Sequence, residues 1–198
     1  MKTFSEEFLD RLIEISYKIT PNDIENMAKC IHKTKINKGN LFIIGVGGSA
    51  SNSSHSVNDF RKICEINAFS PFDNVSEITA RINDDGWDNS IVGWMRMFFP
   101  CENDVLLVYS VGGGSEEKNV SVNIINAIKF AKSKRTKVLS IVGKKDGYAY
   151  YNSDVAIHIP SGKDMVTPYT ESFHSIISHL LVSHPLLQQN QTKWESLE

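Results

Sequence analysis

Two glycine-rich segments carry residue types that bind an anion. The first is Gly45-Val46-Gly47-Gly48-Ser49, and the second is Ser110-Val111-Gly112-Gly113-Gly114-Ser115. Each follows a short apolar run typical of a buried strand and precedes a stretch with helical spacing. A strand that turns through glycine into a helix offers an anion unpaired backbone N–H groups and the positive end of the helix dipole. With the flanking serine hydroxyls, these segments predict a cradle for a monophosphate held without lysine.

The first segment also has two other interpretations. Gly45, Gly47 and Ala50 fit the dinucleotide pattern G-x-G-x-x-A, and Glu65 follows at the distance expected for an acidic partner. The polar residues Ser51 to His55 argue against it, because close packing on a dinucleotide favours small apolar residues. A tight turn that binds nothing is the other alternative. The occurrence of two such segments after two strands favours the phosphate site.

Ionisable residues are spaced so that some share a helix face. His55 and Asp59 are four residues apart, which makes them either half of a zinc site or an ordinary surface or interface pair. Near the end of the chain, Glu171 and His174 are three residues apart on a predicted helix and are natural neighbours. His174 belongs either to a neighbouring subunit's site or to the structural core.

The elements that must position these residues alternate between strand and helix. Strands are predicted at 41–45, 105–109, 138–142 and 155–159, and helices at 49–64, 122–131, just after 143–147, and 167–187. This alternation predicts an α/β fold, a doubly wound parallel sheet in three layers with helices on both faces. Ligands of such sheets lie at the carboxyl ends of the strands, near a switch in strand order, and both glycine segments fall at strand ends.

Two amphipathic helices are predicted before the sheet. The first has Phe8, Leu12, Ile15 and Ile19 on one side, which covers either its own sheet or a partner. The second begins after Thr20, a predicted N-cap, with Pro21 in the first helical position. We expect a single domain over 1–198, with the helical pair at 1–38 and the α/β core at 39–190.

Bulk properties limit the class of protein. The 198 residues are 41% hydrophobic with a formal net charge of −2, which does not favour a nucleic-acid or membrane surface. Three cysteines without a CxxC pair indicate a reducing compartment. Neither a signal peptide nor an apolar run of roughly 18 residues is present, so a cytoplasmic protein is expected.

The two glycine segments, His55, Asn83-Asp84 and the histidine-rich last helix resemble the SIS (sugar isomerase) fold, a flavodoxin-like arrangement. Within it, the chain is most similar to a divergent branch of the phosphoheptose isomerases. The resemblance extends over nearly the whole chain. It implies a homotetramer in which the N-terminal helices take part in packing.

The resemblance also implies an activity and a set of site residues. The family interconverts sedoheptulose 7-phosphate and D-glycero-D-manno-heptose 7-phosphate, usually with bound zinc, and supplies heptose for lipopolysaccharide or capsule. The residues implied to bind substrate are Gly47, Gly48, Ser49, Asn83, Asp84, Ser110, Gly112, Gly113 and Ser115. Those implied to surround the zinc ion are His55, Asp59, Glu171 and His179, and the catalytic set is Asp59, Glu171 and His179.

Five departures from the family pattern bear on this assignment. Val46 replaces an asparagine, Asp59 a glutamate and Glu171 a glutamine. In the second loop, the family's usual serine–threonine–serine–glycine–asparagine–serine is Ser110-Val111-Gly112-Gly113-Gly114-Ser115, with fewer hydroxyls, and the extra segment 116–120 lengthens it. Two nearby carboxylates raise each other's pKa unless a cation lies between them. Glu171 therefore either strengthens metal binding, which we favour, or acts as the proton carrier in place of the shorter Asp59.

An isomerase needs a base that moves a proton between two carbons and a group that stabilises the enediolate oxygen. The ionisable residues above favour such an enzyme. Two alternatives stay open: an isomerase of a different sugar phosphate, and a non-catalytic SIS module that binds sugar phosphates or acts as an adaptor.

Overall fold

The computed structural model describes residues 2–197, which form five strands flanked by helices. The N-terminal helices are α1 (Phe4–Lys18) and α2 (Pro21–Ile36). The first half of the core contains β1 (Asn40–Ile44), α3 (Gly48–Lys62), β2 (Asn67–Phe69), a 3-10 turn (Pro71–Asp73), α4 (Val75–Asp85) and α5 (Trp87–Arg96). The second half contains β3 (Val105–Ser110), α6 (Val122–Ser133), β4 (Lys137–Val142), α7 (Tyr148–Asn152), β5 (Val155–His158) and α8 (Val166–Val182).

The five strands form one parallel sheet in the order β2-β1-β3-β4-β5. The chain moves from β1 outward to β2 and then returns to the other side of β1 as β3, so the order switches between β1 and β3. Ligands of open α/β sheets bind at such a switch point. β1 and β3 are the two strands that the glycine segments follow.

Alternation along the strands divides the core into two layers. Leu41 and Ile43 of β1 face a cluster built with α1, α2, α3 and α8. Phe42 and Ile44 face a second cluster with α5, α6 and α7. Because successive side chains of a strand point to opposite faces, an uninterrupted apolar run places hydrophobic residues in both layers. The predicted three-layer α/β fold is confirmed.

The apolar face predicted for α1 covers the chain's own core. Ile15 and Ile19 are buried, and Phe8 and Leu12 are half-buried against the same cluster. A capping box starts this helix: the Thr3 hydroxyl accepts from the Glu6 N–H, and the Glu6 carboxylate accepts from the Thr3 N–H. Thr20 occupies the N-cap of α2 as predicted, although its side chain makes no capping hydrogen bond.

The predicted helices and strands differ from the structure in two places. The last helix ends at Val182 rather than 187, and Leu187 is nevertheless fully buried in the core. The strand and helices from β2 to α5 were not predicted from the sequence. No helix among residues 2–197 is both long and apolar enough to cross a membrane.

Candidate functional site

The first glycine segment forms the turn from β1 into α3, and the side chain of Glu171 from α8 lies against it. A Cβ at position 48 would come within 2.4 Å of Glu171 Oε2, so only glycine leaves room for this carboxylate. The buried Ser49 hydroxyl lies 3.5 Å from Glu171 Oε1, and the Asn52 amide donates to the Glu171 backbone oxygen at 2.9 Å. The turn and α8 therefore place a carboxylate at the N-terminus of α3.

The second glycine segment follows β3 and is braced from both sides. Gly113 has φ +74°, and its N–H donates to the Ser110 hydroxyl at 3.0 Å. Its carbonyl accepts from the N–H of Ala149, at the start of α7. Ser115 pairs with Val120 through two backbone hydrogen bonds, so the extra residues close a small turn. Because Ser110 Oγ accepts from Gly113, its own proton stays available to another acceptor.

The side chains of His55, Asp59 and His179 meet where α3 packs against α8. The Nε2 atoms of the two imidazoles are 3.1 Å apart. Asp59 Oδ2 lies 3.2 Å from His55 Nε2 and 3.5 Å from His179 Nε2. The other carboxylate oxygen of Asp59 accepts from the Asn58 amide at 2.9 Å. Asp59 is buried, while both histidine side chains are half exposed.

This geometry fits a zinc ion. Bonds of 2.0–2.1 Å in a tetrahedral site place two ligand atoms about 3.3 Å apart, and the three observed separations bracket that value. Two imidazole nitrogens and a carboxylate oxygen are also a donor set that zinc accepts, and three protein ligands leave a fourth position open. Among residues 2–197, these three side chains are close enough together to hold one metal ion, and we call them the metal-ligand group.

Besides the two glycine segments, Glu171, Asn83 and Asp84 are implied site residues that lie outside this cluster. Glu171 is two turns before His179 on α8, at the glycine turn, and not with the other three side chains. Asn83 and Asp84 are exposed in the last turn of α4, where the Asn83 amide donates to the Asp84 carboxylate at 2.8 Å. Their place in a substrate site stays a prediction.

His174, left open between a site and a structural role, is fully buried in the core. Its ring stacks on Tyr109 with centroids 4.9 Å apart, and its Nε2 lies 3.0 Å from the Ile141 backbone oxygen. A carbonyl only accepts, so Nε2 carries the proton. Burial lowers the pKa of His174 to about 4, against the smaller opposing effect of that hydrogen bond. It is a neutral structural histidine.

Sequence reasoning missed a set of buried hydroxyls beside the metal-ligand group. Ser56, Ser178 and Tyr109 are all buried, and the Ser56 hydroxyl oxygen contacts the hydroxyl oxygens of the other two. Serine recurs on the buried side of α3 at 49, 53 and 56, and this spacing is the feature that could have revealed a polar seam.

Known proteins resemble this chain over nearly its full length. The phosphoheptose isomerase of Buchnera aphidicola is 32% identical over 192 residues, which cover 91% of this chain and 93% of that protein. The chain belongs to the phosphoheptose isomerase family. The Helicobacter pylori phosphoheptose isomerase is 28% identical over 165 residues, covering 79% of this chain and 81% of the relative. No family model matches the chain.

The fold of this phosphoheptose isomerase family member agrees with solved structures. The phosphoheptose isomerase of Neisseria gonorrhoeae superimposes with a TM-score of 0.77 at 23% identity, covering 90% of this chain and 94% of that one. The predicted family and its fold are therefore confirmed.

Proposed function

We propose that this protein interconverts sedoheptulose 7-phosphate and D-glycero-D-manno-heptose 7-phosphate through an enediolate, and supplies heptose for lipopolysaccharide or capsule. Membership of the phosphoheptose isomerase family supports an isomerase. The observation that carries the proposal is the arrangement on α3. Its N-terminus forms the glycine turn at the switch point, and further along it His55 and Asp59 meet His179 of α8.

The substrate's phosphate is proposed to bind between the two glycine segments. Ser49 lies beside the Gly47–Gly48 turn, and its hydroxyl donates to a phosphate only by leaving Glu171 Oε1. The N-terminus of α3 contributes the positive end of its dipole. In the second segment, the Ser110 hydroxyl proton is available, whereas the Gly113 N–H reaches a phosphate only by leaving Ser110 Oγ. Gly112 and Ser115 would complete this cradle. Asn83 and Asp84, both exposed, are proposed to contact the sugar hydroxyls.

Glu171 is our proposed proton carrier. Its carboxylate lies at the glycine turn, and within residues 2–197 its one hydrogen bond is the 3.5 Å contact from the Ser49 hydroxyl. Asp59 is instead occupied by His55, His179 and Asn58. A base needs a free lone pair within reach of the substrate's carbon-bound proton. Glu171 meets that condition better than Asp59, and its position at Gly48 separates it from the three proposed ligands.

His55, Asp59 and His179 are proposed to hold the zinc ion. When bound, the ion would supply positive charge to stabilise the enediolate oxygen. The protein's own contribution is to keep both imidazoles in place through Asp59, whose second oxygen is fixed by Asn58. Asp59 and His179 thus belong to the catalytic set through this group. Glu171 as a fourth ligand stays a prediction from the resemblance.

A homotetramer in the cytoplasm is the proposed state of the protein. Leu9, Ile13 and Tyr17 form an exposed apolar row on α1, on a different side from the residues that cover the core. Ile176 and Leu180 are also exposed on α8, beside His179. Exposed apolar rows of this kind mark association surfaces. The three free cysteines fit a reducing compartment.

The substrate is tested by turnover of ketose phosphates of different length. Purified zinc-loaded protein should convert sedoheptulose 7-phosphate with a much higher kcat/KM than five- or six-carbon ketose phosphates. Glu171→Gln should reduce kcat for the seven-carbon substrate by about a hundredfold or more, in line with the usual contribution of general acid–base catalysis. Preference for a shorter ketose would establish a different sugar phosphate, and turnover of none would contradict the isomerase.

A further inference from the structure

A buried hydroxyl cluster joins α3, α8 and β3 at the level of the metal-ligand group. Ser56 Oγ lies 2.7 Å from Ser178 Oγ and 3.1 Å from the Tyr109 hydroxyl. It also donates to the Asn52 backbone oxygen at 2.7 Å. Ser56 and Ser178 are 1% exposed and Tyr109 is fully buried, so water does not share these contacts.

The protons of this cluster can be assigned. A hydroxyl has one proton and two lone pairs, and Ser56 gives its proton to the Asn52 carbonyl, which only accepts. Ser178 and Tyr109 must therefore both donate to Ser56, which uses both of its lone pairs. Every hydrogen-bonding site of Ser56 is filled. A buried polar group of this kind is costly to leave unpaired, so the arrangement favours one spacing of the three elements.

The cluster is adjacent in sequence to the two histidines. Ser56 follows His55 on α3, and Ser178 precedes His179 on α8. Adjacent residues of a helix point in directions about 100° apart. The serines therefore face the sheet while the histidines face solvent. The 2.7 Å contact between Ser56 and Ser178 sets how closely the two backbones approach at the point from which His55 and His179 project.

We propose that Ser56, Ser178 and Tyr109 are positioning residues that set the separation of His55 and His179, and thereby the affinity of the site for zinc. This inference rests on the metal-binding role proposed above. Tyr109 supplies the third point of attachment, because it anchors Ser56 to the central strand of the sheet. Its own ring is fixed by stacking on His174.

Ser53 provides a matched control on the same helix. It is also fully buried, donates to a backbone oxygen in the preceding turn and contacts one further serine hydroxyl, Ser70, at 3.2 Å. Ser70 lies beside β2 rather than on α8. Ser53→Ala therefore removes comparable buried hydrogen bonds without touching the contact between α3 and α8.

The test is zinc titration of the wild type, Ser56→Ala, Ser53→Ala and Tyr109→Phe, with a competing chelator and thermal unfolding of the metal-free proteins. Ser56→Ala should weaken zinc binding about tenfold or more, as expected when residues that orient metal ligands are lost. Tyr109→Phe keeps the ring and removes only the hydroxyl, so it should weaken binding in the same direction. Ser53→Ala should lower thermal stability like Ser56→Ala while zinc affinity stays within about twofold of wild type.

Equal zinc affinity in Ser56→Ala, Tyr109→Phe and wild type would overturn the inference, as would an equal loss in Ser53→Ala. If Ser56→Ala does not fold, Tyr109→Phe decides. If the wild type itself binds no zinc, the proposed metal role fails, and the positioning role is read from the imidazole NMR signals of metal-free protein. Close contact between the His55 and His179 rings should then be lost in Tyr109→Phe and kept in Ser53→Ala, and unchanged contact in Tyr109→Phe would contradict it.

Discussion

Lowering the pH from 7 to 5 is expected to destabilise the fold through His174. The folded protein buries this ring against Tyr109 and the Ile141 carbonyl, which lowers its pKa to about 4 from an ordinary value of 6.5. Between these two values the unfolded chain binds a proton at His174 and the folded chain does not. Unfolding is then favoured as the pH falls. The contribution of His174 to the free energy of unfolding is therefore fully present above pH 6.5 and is lost as the pH falls towards 4.

The size of the effect follows from the two pKa values. Each pKa unit corresponds to about 1.4 kcal/mol, so the full difference is about 3 kcal/mol when the pH is well below 4. At pH 5 the unfolded chain is almost fully protonated at this residue, and about 2 kcal/mol of unfolding free energy is lost relative to pH 7. Loss of this size is a large part of the stability of an ordinary domain.

Urea unfolding at pH 7 and pH 5 measures the effect in wild type and in His174→Gln, which keeps an N–H donor but does not titrate in this range. The wild type should lose about 2 kcal/mol more than the variant between the two pH values. His158→Gln is the control. The pKa of His158 is also lowered, chiefly by burial and then by Lys145, so this variant should leave the larger His174 contribution in place. The same pH dependence in His174→Gln and wild type would refute the reasoning.

Two further predictions follow from the glycine turn and from α1. Gly48→Ala places a Cβ 2.4 Å from Glu171 Oε2, so the carboxylate must move by about 1 Å. This displacement should lower kcat by up to about a hundredfold while thermal stability changes little. Unchanged kinetics would contradict a role for Glu171 in the reaction. Leu9→Asp together with Ile13→Asp should yield smaller particles in light scattering. The helical circular dichroism should be kept, because both side chains are exposed. An unchanged mass would place the association surface elsewhere.

The central strands and the glycine turns that follow them could be predicted from the sequence. β1 and β3 are buried on both faces, so they appear as apolar runs without alternation. The glycine segments after them are local patterns, and the strand order places both at the switch point. These features depend on neighbouring residues along the chain, which is why sequence reasoning reached them.

Other elements were missed for different reasons. β2 has three residues and only one of them is buried, so it produces no clear period. α4 has local signals that the prediction overlooked: the Asn74 side chain accepts from the Glu77 N–H at its start, and Gly86 follows its last residue. The end of α8 was placed too late because Leu187 continues the apolar pattern beyond the helix. Leu187 packs on the core from the segment that follows, and periodicity alone does not distinguish this from a longer helix.

The site depends on contacts between distant segments. His55 and Asp59 were recognised as a pair from their spacing, but their meeting with His179 required the packing of α3 on α8. The approach of Glu171 to Gly48 likewise joins residues far apart in sequence. Only the resemblance to a known family brought these four ionisable residues together before the structure, and it did not distinguish the carboxylate at the turn from the three proposed ligands.

Deuterium transfer tests the central claim most directly. Zinc-loaded protein is incubated with sedoheptulose 7-phosphate in deuterium oxide and followed by NMR, beside Glu171→Gln. The wild type should form the aldose with deuterium at C2, and Glu171→Gln should bind the substrate with little exchange or product. Aldose formation by Glu171→Gln at the wild-type rate would contradict Glu171 as the proton carrier, and the absence of both product and exchange in the wild type would contradict the isomerase itself.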